Sequence, residues 1–109
     1  MSEKDLKIAK QIKKELKAKL GDKLISVILY GSRARGDFHD ESDMDLLILT
    51  SENNSQVRTK INDIIYNYEY KNDFQMLISS KIYNIQQYNK RNNPKTSFFY
   101  SLHQDAIKI

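Results

Sequence analysis

The stretch YGSRARGDFHDESDMDLLIL, residues 30–49, decides the fold of this chain. An apolar run ends just before Gly31 and Ser32, a turn-rich connection follows, and Asp43 and Asp45 open a second apolar run. Side chains alternate along a β-strand, so the two aspartates lie on one face of the strand that they begin. The pattern predicts two strands with a carboxylate pair at the start of the second.

The residue types in this stretch indicate a metal and phosphate site. Two carboxylates on one face repel each other, and Mg²⁺ is a matching partner because proteins bind it through one or two carboxylates plus substrate phosphates. A pair of such ions can align the attacking and leaving oxygens of an in-line phosphoryl displacement. Gly31 lets the backbone approach a phosphate, and the Ser32 hydroxyl can donate to one. Arg33 and Arg35 can add charge-assisted contacts.

The rest of the chain has the periodicity of a small α/β or α+β domain. Apolar residues at spacings of three and four predict a first helix that ends at Gly21 and a second over residues 55–70. Apolar, β-rich runs predict three strands, over 24–30, 43–50 and 74–79. A weaker pattern suggests a short helix or turn over 81–90 and a terminal helix over 96–109. We expect a small mixed sheet of three or more strands with helices packed on one face.

The composition fits one cytoplasmic domain without a membrane segment. The sequence has 109 residues, of which 29% are charged, and no run approaches the ~20 apolar residues of a membrane span. It has no cysteine, which excludes thiolate metal sites, and only two histidines, which argues against a zinc site. The net charge of +4 can indicate nucleic acid, but the N-terminal lysines alternate with apolar residues as on a solvated helix face. We therefore expect no direct nucleic-acid binding.

The motif has a known counterpart. Gly31-Ser32, the ten residues that follow, and Asp43-Met44-Asp45 resemble the G-S-x10-D-x-D signature of the DNA polymerase β-like nucleotidyltransferase superfamily. The sequence GSRARGD and the short chain are similar to the minimal nucleotidyltransferases, or MNT domains, of prokaryotes. The resemblance covers nearly the whole chain and implies one nucleotidyltransferase domain over residues 1–109 with a polymerase β-like fold.

The resemblance implies a reaction and roles for these residues. A nucleoside triphosphate binds with Mg²⁺, a hydroxyl attacks the α-phosphate, pyrophosphate leaves and a nucleoside monophosphate is transferred. By matching position, Asp43 and Asp45 would be catalytic metal ligands. Gly31 and Ser32 would hold the triphosphate.

The family also has a third carboxylate on a following strand, which helps to activate the attacking hydroxyl. Asp73 is our candidate for this catalytic and metal-binding position, because it directly precedes the third apolar run as Asp43 precedes the second. A polar turn residue is the alternative interpretation of Asp73. Gln75 shares its face and can occupy the position instead, in which case the third carboxylate is missing. Glu69, at the end of the second predicted helix, is a further candidate.

The acceptor of the transferred group is expected to come from a partner or from a second copy of the chain. Minimal prokaryotic members are paired with small helical HEPN-domain RNase toxins, and they act as antitoxins by transferring AMP from ATP to a tyrosine of the toxin. The resemblance implies the same role here. Two alternatives stay open: a non-catalytic antitoxin that neutralises its partner by binding, and a small-molecule enzyme such as an antibiotic nucleotidyltransferase.

Overall fold

The helices and strands follow the expected order for most of the chain. The computed structural model describes residues 3–36, 43–91, 102 and 106–109. None of the helices in these ranges is both long and apolar enough to cross a membrane. The elements are α1 (Glu3–Leu20), a 3₁₀ turn (Gly21–Lys23), β1 (Leu24–Tyr30), α2 (Ser32–Arg35), β2 (Met44–Thr50), α3 (Ser55–Lys71), β3 (Ile78–Asn84), α4 (Ile85–Arg91) and β4 (Ile107–Lys108).

The four strands form one mixed sheet in the order β3-β2-β1-β4. β1 is antiparallel to both β2 and β4, whereas β2 and β3 are parallel. Parallel strands need a crossover connection, and α3 supplies it between β2 and β3. The prediction of a small mixed sheet in an α/β domain is confirmed.

The main core lies between one face of the sheet and the two long helices. α1 contributes Ala9, Ile12 and Leu16, and α3 contributes Val57 and Ile61, all of which are buried. Complete burial of an Ile, Leu or Val side chain stabilises the fold by roughly 1.5–3 kcal/mol. The partners of these side chains on the sheet are Val27, Leu29, Met44, Leu46 and Ile48.

The opposite face of the sheet carries a smaller apolar cluster. Leu47 and Leu49, which alternate with the core residues of β2, pack there with Leu102. Ile85 and Tyr88 of α4 lie against the same cluster. The expectation that helices cover one face is therefore correct for α1 and α3, while α4 packs on the other face.

The predicted third strand over residues 74–79 is wrong by several residues, because β3 begins only at Ile78. After α3 the chain must turn towards the sheet, and Asp73 and Phe74 both take left-handed conformations, with φ of 55° and 56°. Phe74 packs its ring against the exposed rings of Tyr66 and Tyr70. Residues 74–77 of the predicted strand therefore precede β3, and only Ile78 and Ser79 belong to it.

The last residues of the chain also differ from the prediction of a helix over residues 96–109, although Leu102, the one described residue between 92 and 105, is helical. Ile107 and Lys108 form β4 beside Leu29 and Ile28, and the Ile109 N–H donates to the Val27 carbonyl at 2.9 Å. Ile107 and Ile109 pack against the main core, which favours an extended segment at the sheet edge. The other predictions for 37–42, 92–101 and 103–105 lie outside the described residues.

Candidate active site

The junction between β1 and β2 brings the motif residues together. Tyr30, the last residue of β1, is paired with Asp45 of β2. Gly31 follows with φ +78°, and a side-chain carbon on it would overlap Oδ2 of Asp45. The positive φ favours glycine because other residues rarely adopt it, and a side chain here would also push the Asp45 carboxylate aside. The backbone of Gly31 therefore lies directly against the carboxylate.

The short helix α2 continues from this glycine. The Arg35 N–H donates to the Gly31 carbonyl at 3.1 Å, and the Gly36 N–H donates to the Ser32 carbonyl at 2.9 Å. Gly36 ends the turn with φ +84°. Ser32, the first residue of this turn, directly follows Gly31 and is only partly buried.

Arg33 has a different environment from the one expected of a phosphate-binding residue. Its Nη1 donates to Oδ1 of Asp5 at 3.0 Å, and the side chains are only 6% and 1% exposed, respectively. Asp5 lies in the first turn of α1, far away in sequence. The pair joins α2 to α1 inside the protein, and this burial does not fit the predicted contact of Arg33 with a nucleotide.

Arg35 has the environment that Arg33 lacks. Its side chain is exposed, and its positive charge acts on Asp45, whose pKa it lowers. The predicted nucleotide-binding role therefore fits Arg35 better than Arg33, although the two residues are neighbours in one turn.

The charges of Asp43 and Asp45 repel each other. Asp45 is half-buried and Asp43 is exposed. Burial raises the pKa of Asp45 and the charge of Asp43 raises it further, while Lys81 and Arg35 lower it. Burial, followed by the charge of Asp45 and by Tyr83, raises the pKa of Tyr30 to about 12. A divalent cation would relieve this accumulation of negative charge, and two carboxylates are a donor set that suits Mg²⁺ together with phosphates.

β3 places residues on the face of Asp45, and the sequence analysis did not identify them. Ser79 is paired with Asp45 and Lys81 with Leu47, so both side chains share the face of the carboxylates. The alternation of Ile78, Ser80 and Ile82 with Ser79 and Lys81 was the available signal. It was missed because the strand was expected to end at Ser79.

The candidates for a third carboxylate lie outside this face of β3. Asp73 and Gln75 are exposed residues of the turn after α3, so Asp73 does not directly precede a strand as the prediction assumed. Glu69 accepts the Ile78 N–H at 3.0 Å through Oε2, which stabilises the start of β3. In the part of the chain that the structure describes, no three His, Asp or Glu side chains cluster to hold a metal ion. The catalytic role of Asp73 stays a prediction.

Comparisons with known proteins agree with this geometry. The model of the nucleotidyltransferase domain family matches residues 9–107. The chain is 38% identical over 105 residues to the "putative protein adenylyltransferase MJ0141" of Methanocaldococcus jannaschii, covering 95% of this chain and 97% of that protein. These matches confirm the resemblance that the motif carries.

Two solved structures share the fold. A "putative nucleotidyltransferase" from Sulfolobus solfataricus superposes with a TM-score of 0.61 at 24% identity, covering 96% of this chain and 78% of that one. A toxin–antitoxin structure with AMP-PNP gives a TM-score of 0.53 at 15% identity, with 90% and 69% covered, respectively. The family match and the M. jannaschii relative show that the chain belongs to the nucleotidyltransferase family and is an enzyme of that family.

Proposed function

We propose that this chain is a Mg²⁺-dependent protein adenylyltransferase that transfers AMP from ATP to a tyrosine of a HEPN-family toxin and thereby acts as an antitoxin. The observation that carries the proposal is the carboxylate of Asp45 packed against the backbone of Gly31, with the charge of Asp43, two residues earlier, acting on it. The M. jannaschii relative carries the name of a protein adenylyltransferase. A structural neighbour is a toxin–antitoxin structure with AMP-PNP, an adenine nucleotide.

The residues of the site have separable tasks in this mechanism. Asp43 and Asp45 would hold Mg²⁺, which when bound neutralises phosphate charge and orients the reacting oxygens. Gly31 and Ser32 would bind the triphosphate through the open backbone and the hydroxyl. Arg35, exposed and close enough to act on Asp45, would add a charge-assisted contact to a phosphate oxygen.

The chemical step is an exchange of bonds at the α-phosphorus. The acceptor oxygen forms a bond to phosphorus, and the bond from phosphorus to the bridging oxygen of pyrophosphate breaks with its electron pair on pyrophosphate. The proton of the acceptor hydroxyl must leave, and a positioned base accelerates such a transfer by roughly 10²–10⁴-fold. Asp73 is our candidate for that base. If it holds the role, Asp73→Asn lowers the transfer rate by roughly this factor.

The proposal is tested by labelling with α-³²P-ATP and Mg²⁺. The acceptor to be tested is the product of the reading frame beside this gene, purified after co-expression with the Asp43→Asn, Asp45→Asn double variant. Wild-type protein should label it, and the double variant should label it at least about 10³-fold more slowly. Asp63→Asn, on the exposed side of α3, is the control and should label normally. Equal labelling by the double variant would contradict the mechanism.

One observation favours a second candidate function, neutralisation of the toxin by binding alone. The residue of β3 paired with Asp45 is Ser79, not an acid, and Gln75 is exposed in the preceding turn. If binding alone suffices, the double variant still protects cells that express the toxin. If transfer is required, those cells stop growing although the variant is present at wild-type level.

A further inference from the structure

The ion pair between Arg33 and Asp5 joins α2 to α1 in the interior of the protein. Nη1 of Arg33 donates to Oδ1 of Asp5 at 3.0 Å, and both side chains are almost fully buried. A buried ion pair is a poor source of stability, because apolar side chains of similar volume often stabilise a fold equally well. Its charge-assisted hydrogen bond is directional, however, and fixes the two groups that it joins relative to each other. The pair is therefore better suited to holding α2 in one position than to stabilising the fold.

The helix α2 is too short to keep its position by itself. It is a single turn, Ser32–Arg35, and one helical turn is unstable in isolation. Glycines with positive φ precede and follow it, so the backbone at both ends lacks the restriction that a side chain imposes. Two residues of the turn, Arg33 and Ala34, are buried. Since the side chain of Ala34 is a single methyl group, Arg33 is the residue that reaches across to α1.

The position of α2 determines where Gly31 lies relative to the carboxylates. The helix begins one residue after Gly31, and the Arg35 N–H donates to the Gly31 carbonyl at 3.1 Å. Gly31 packs so closely on Asp45 that one added carbon would overlap Oδ2 of the carboxylate. A movement of α2 therefore changes the distance between Gly31 and Asp45. With it changes the distance between the groups that we propose to bind the triphosphate and Mg²⁺.

We propose that Arg33 is a positioning residue: through its contact with Asp5 it holds α2, and with it Gly31 and Ser32, at the distance from Asp45 that binding of ATP with Mg²⁺ requires. The inference rests on the proposed function and adds to the site a residue that acts from the interior, on the side of α1. A displacement of about 1 Å in groups that position a substrate can lower a rate by about 10²-fold. The apparent affinity falls with the fraction of molecules in which α2 has the position that binds ATP.

The test uses Asp5→Leu with Arg33→Met, a double variant in which apolar side chains replace the pair and from which we expect nearly wild-type stability. Amide hydrogen exchange measures how often α2 opens, through the N–H groups of Arg35 and Gly36, which donate within the turn. Loss of a hydrogen bond between charged groups should raise the exchange rates of these two amides by roughly 10- to 100-fold. The amide of Ile48, in the inner strand β2, should exchange as in the wild type, because the opening is local.

Titration calorimetry of the same variants with ATP and Mg²⁺ measures the consequence for the site. The double variant should bind ATP roughly 10-fold more weakly than the wild type. Arg33→Lys keeps a cation that can donate to Asp5, so it should recover most of the affinity and of the slow exchange. Lys23→Met removes the exposed ion pair with Glu52, and as the matched control it should leave both measurements unchanged.

The exchange data separate a local positioning role from a purely structural one. Exchange that rises evenly over α2 and β2 would mean a general loss of stability and would overturn the inference. Wild-type exchange at Arg35 and Gly36, or wild-type affinity for ATP in the double variant, would overturn it as well, because the pair would then be a replaceable packing contact. Absence of Mg²⁺-dependent ATP binding by the wild-type chain would instead overturn the proposed function, and faster exchange confined to α2 would still show that the pair positions this turn.

Discussion

The two faces of the sheet give neighbouring residues of β2 different surroundings. Leu46 and Ile48 are fully buried under α1 and α3, where any polar group would cost stability. Asp45, one residue before Leu46, is half-buried on the other face, and its surroundings raise the pKa of its carboxyl. One strand therefore packs Leu46 and Ile48 into the main core and carries Asp45 on its other face, next to the buried Leu47 and Leu49.

The arginines of α2 show the same division within a single turn. Arg33 points to the side of the long helices and is buried against Asp5, while Arg35 is exposed and acts on Asp45. Similar residues two positions apart thus have different tasks, one structural and one electrostatic. The buried pair joins the glycine turn to α1, so it helps to hold the site in position.

The largest expected effect is on the buried pair. Arg33→Met leaves the Asp5 carboxylate uncompensated in the interior, which should lower the free energy of unfolding by about 3–5 kcal/mol. Urea denaturation followed by circular dichroism measures this loss. The matched control is the exposed pair of Lys23 and Glu52, with N–O at 2.8 Å, where Lys23→Met should cost less than about 1 kcal/mol.

A double variant tests whether the loss comes from the unpaired charge. Asp5→Leu together with Arg33→Met replaces the pair with apolar side chains and should recover most of the stability of the wild type. A double variant as unstable as Arg33→Met alone would show that the pair is not what holds α2 against α1.

The next largest effect is expected at Gly31, the glycine between β1 and α2. Gly31→Ala should lower the free energy of unfolding by about 1–3 kcal/mol, because it strains a positive φ, and it should also displace Asp45 and weaken Mg²⁺–ATP binding. Gly21→Ala is the matched control, since Gly21 has φ +57° but no atom within 4 Å of the added carbon. Thermal unfolding and calorimetric titration measure the two effects. If both variants bind ATP as the wild type does, the close contact of Gly31 with Asp45 has no functional meaning.

The smallest effect is a gain in stability. The folded-state pKa of Asp45 is raised above its ordinary value of 3.8, so its charge destabilises the fold at neutral pH. As the pH falls through the folded-state pKa, the folded protein takes up the proton first and this cost disappears. In the absence of metal, Asp45→Asn should therefore raise Tm at pH 7 by about 1–6 °C. The gain should vanish below the ordinary pKa.

Comparison with Asp63→Asn corrects this measurement for general effects of charge. The control should show no such pH-dependent gain, because Asp63 is exposed on α3. A Tm for Asp45→Asn below that of the wild type at pH 7 would mean that the carboxylate stabilises the fold, against the electrostatics of the site.

The sequence predicted the features that depend on local order. The alternation along a strand places Asp43 and Asp45 on one face, and the glycine before α2 is required by the backbone itself. The apolar periodicity of α1 likewise predicts its buried residues, because the neighbours of a helix turn are set by a fixed spacing.

The sequence could not predict features that depend on distant parts of the chain. The partner of Arg33 is Asp5, on another helix, and no local pattern connects the two. The position of Lys81 beside Asp45 depends on the register of a parallel pair, which is set only after α3 has crossed over. The start of β3 was predicted too early for a related reason. Phe74 is of a residue type that is common in strands, but in the structure it is exposed and packs on Tyr66.

The most direct test of the central claim uses Mn²⁺ in place of Mg²⁺ with AMP-PNP, observed by NMR of the amide groups. Paramagnetic broadening should be strongest at Gly31, Asp45 and Ser79 and weaker at Lys14, on the outer side of α1. It should be lost at these sites in the Asp43→Asn, Asp45→Asn double variant. Broadening centred on α1, or equal broadening in the double variant, would contradict the assignment of the carboxylate face as the metal and nucleotide site.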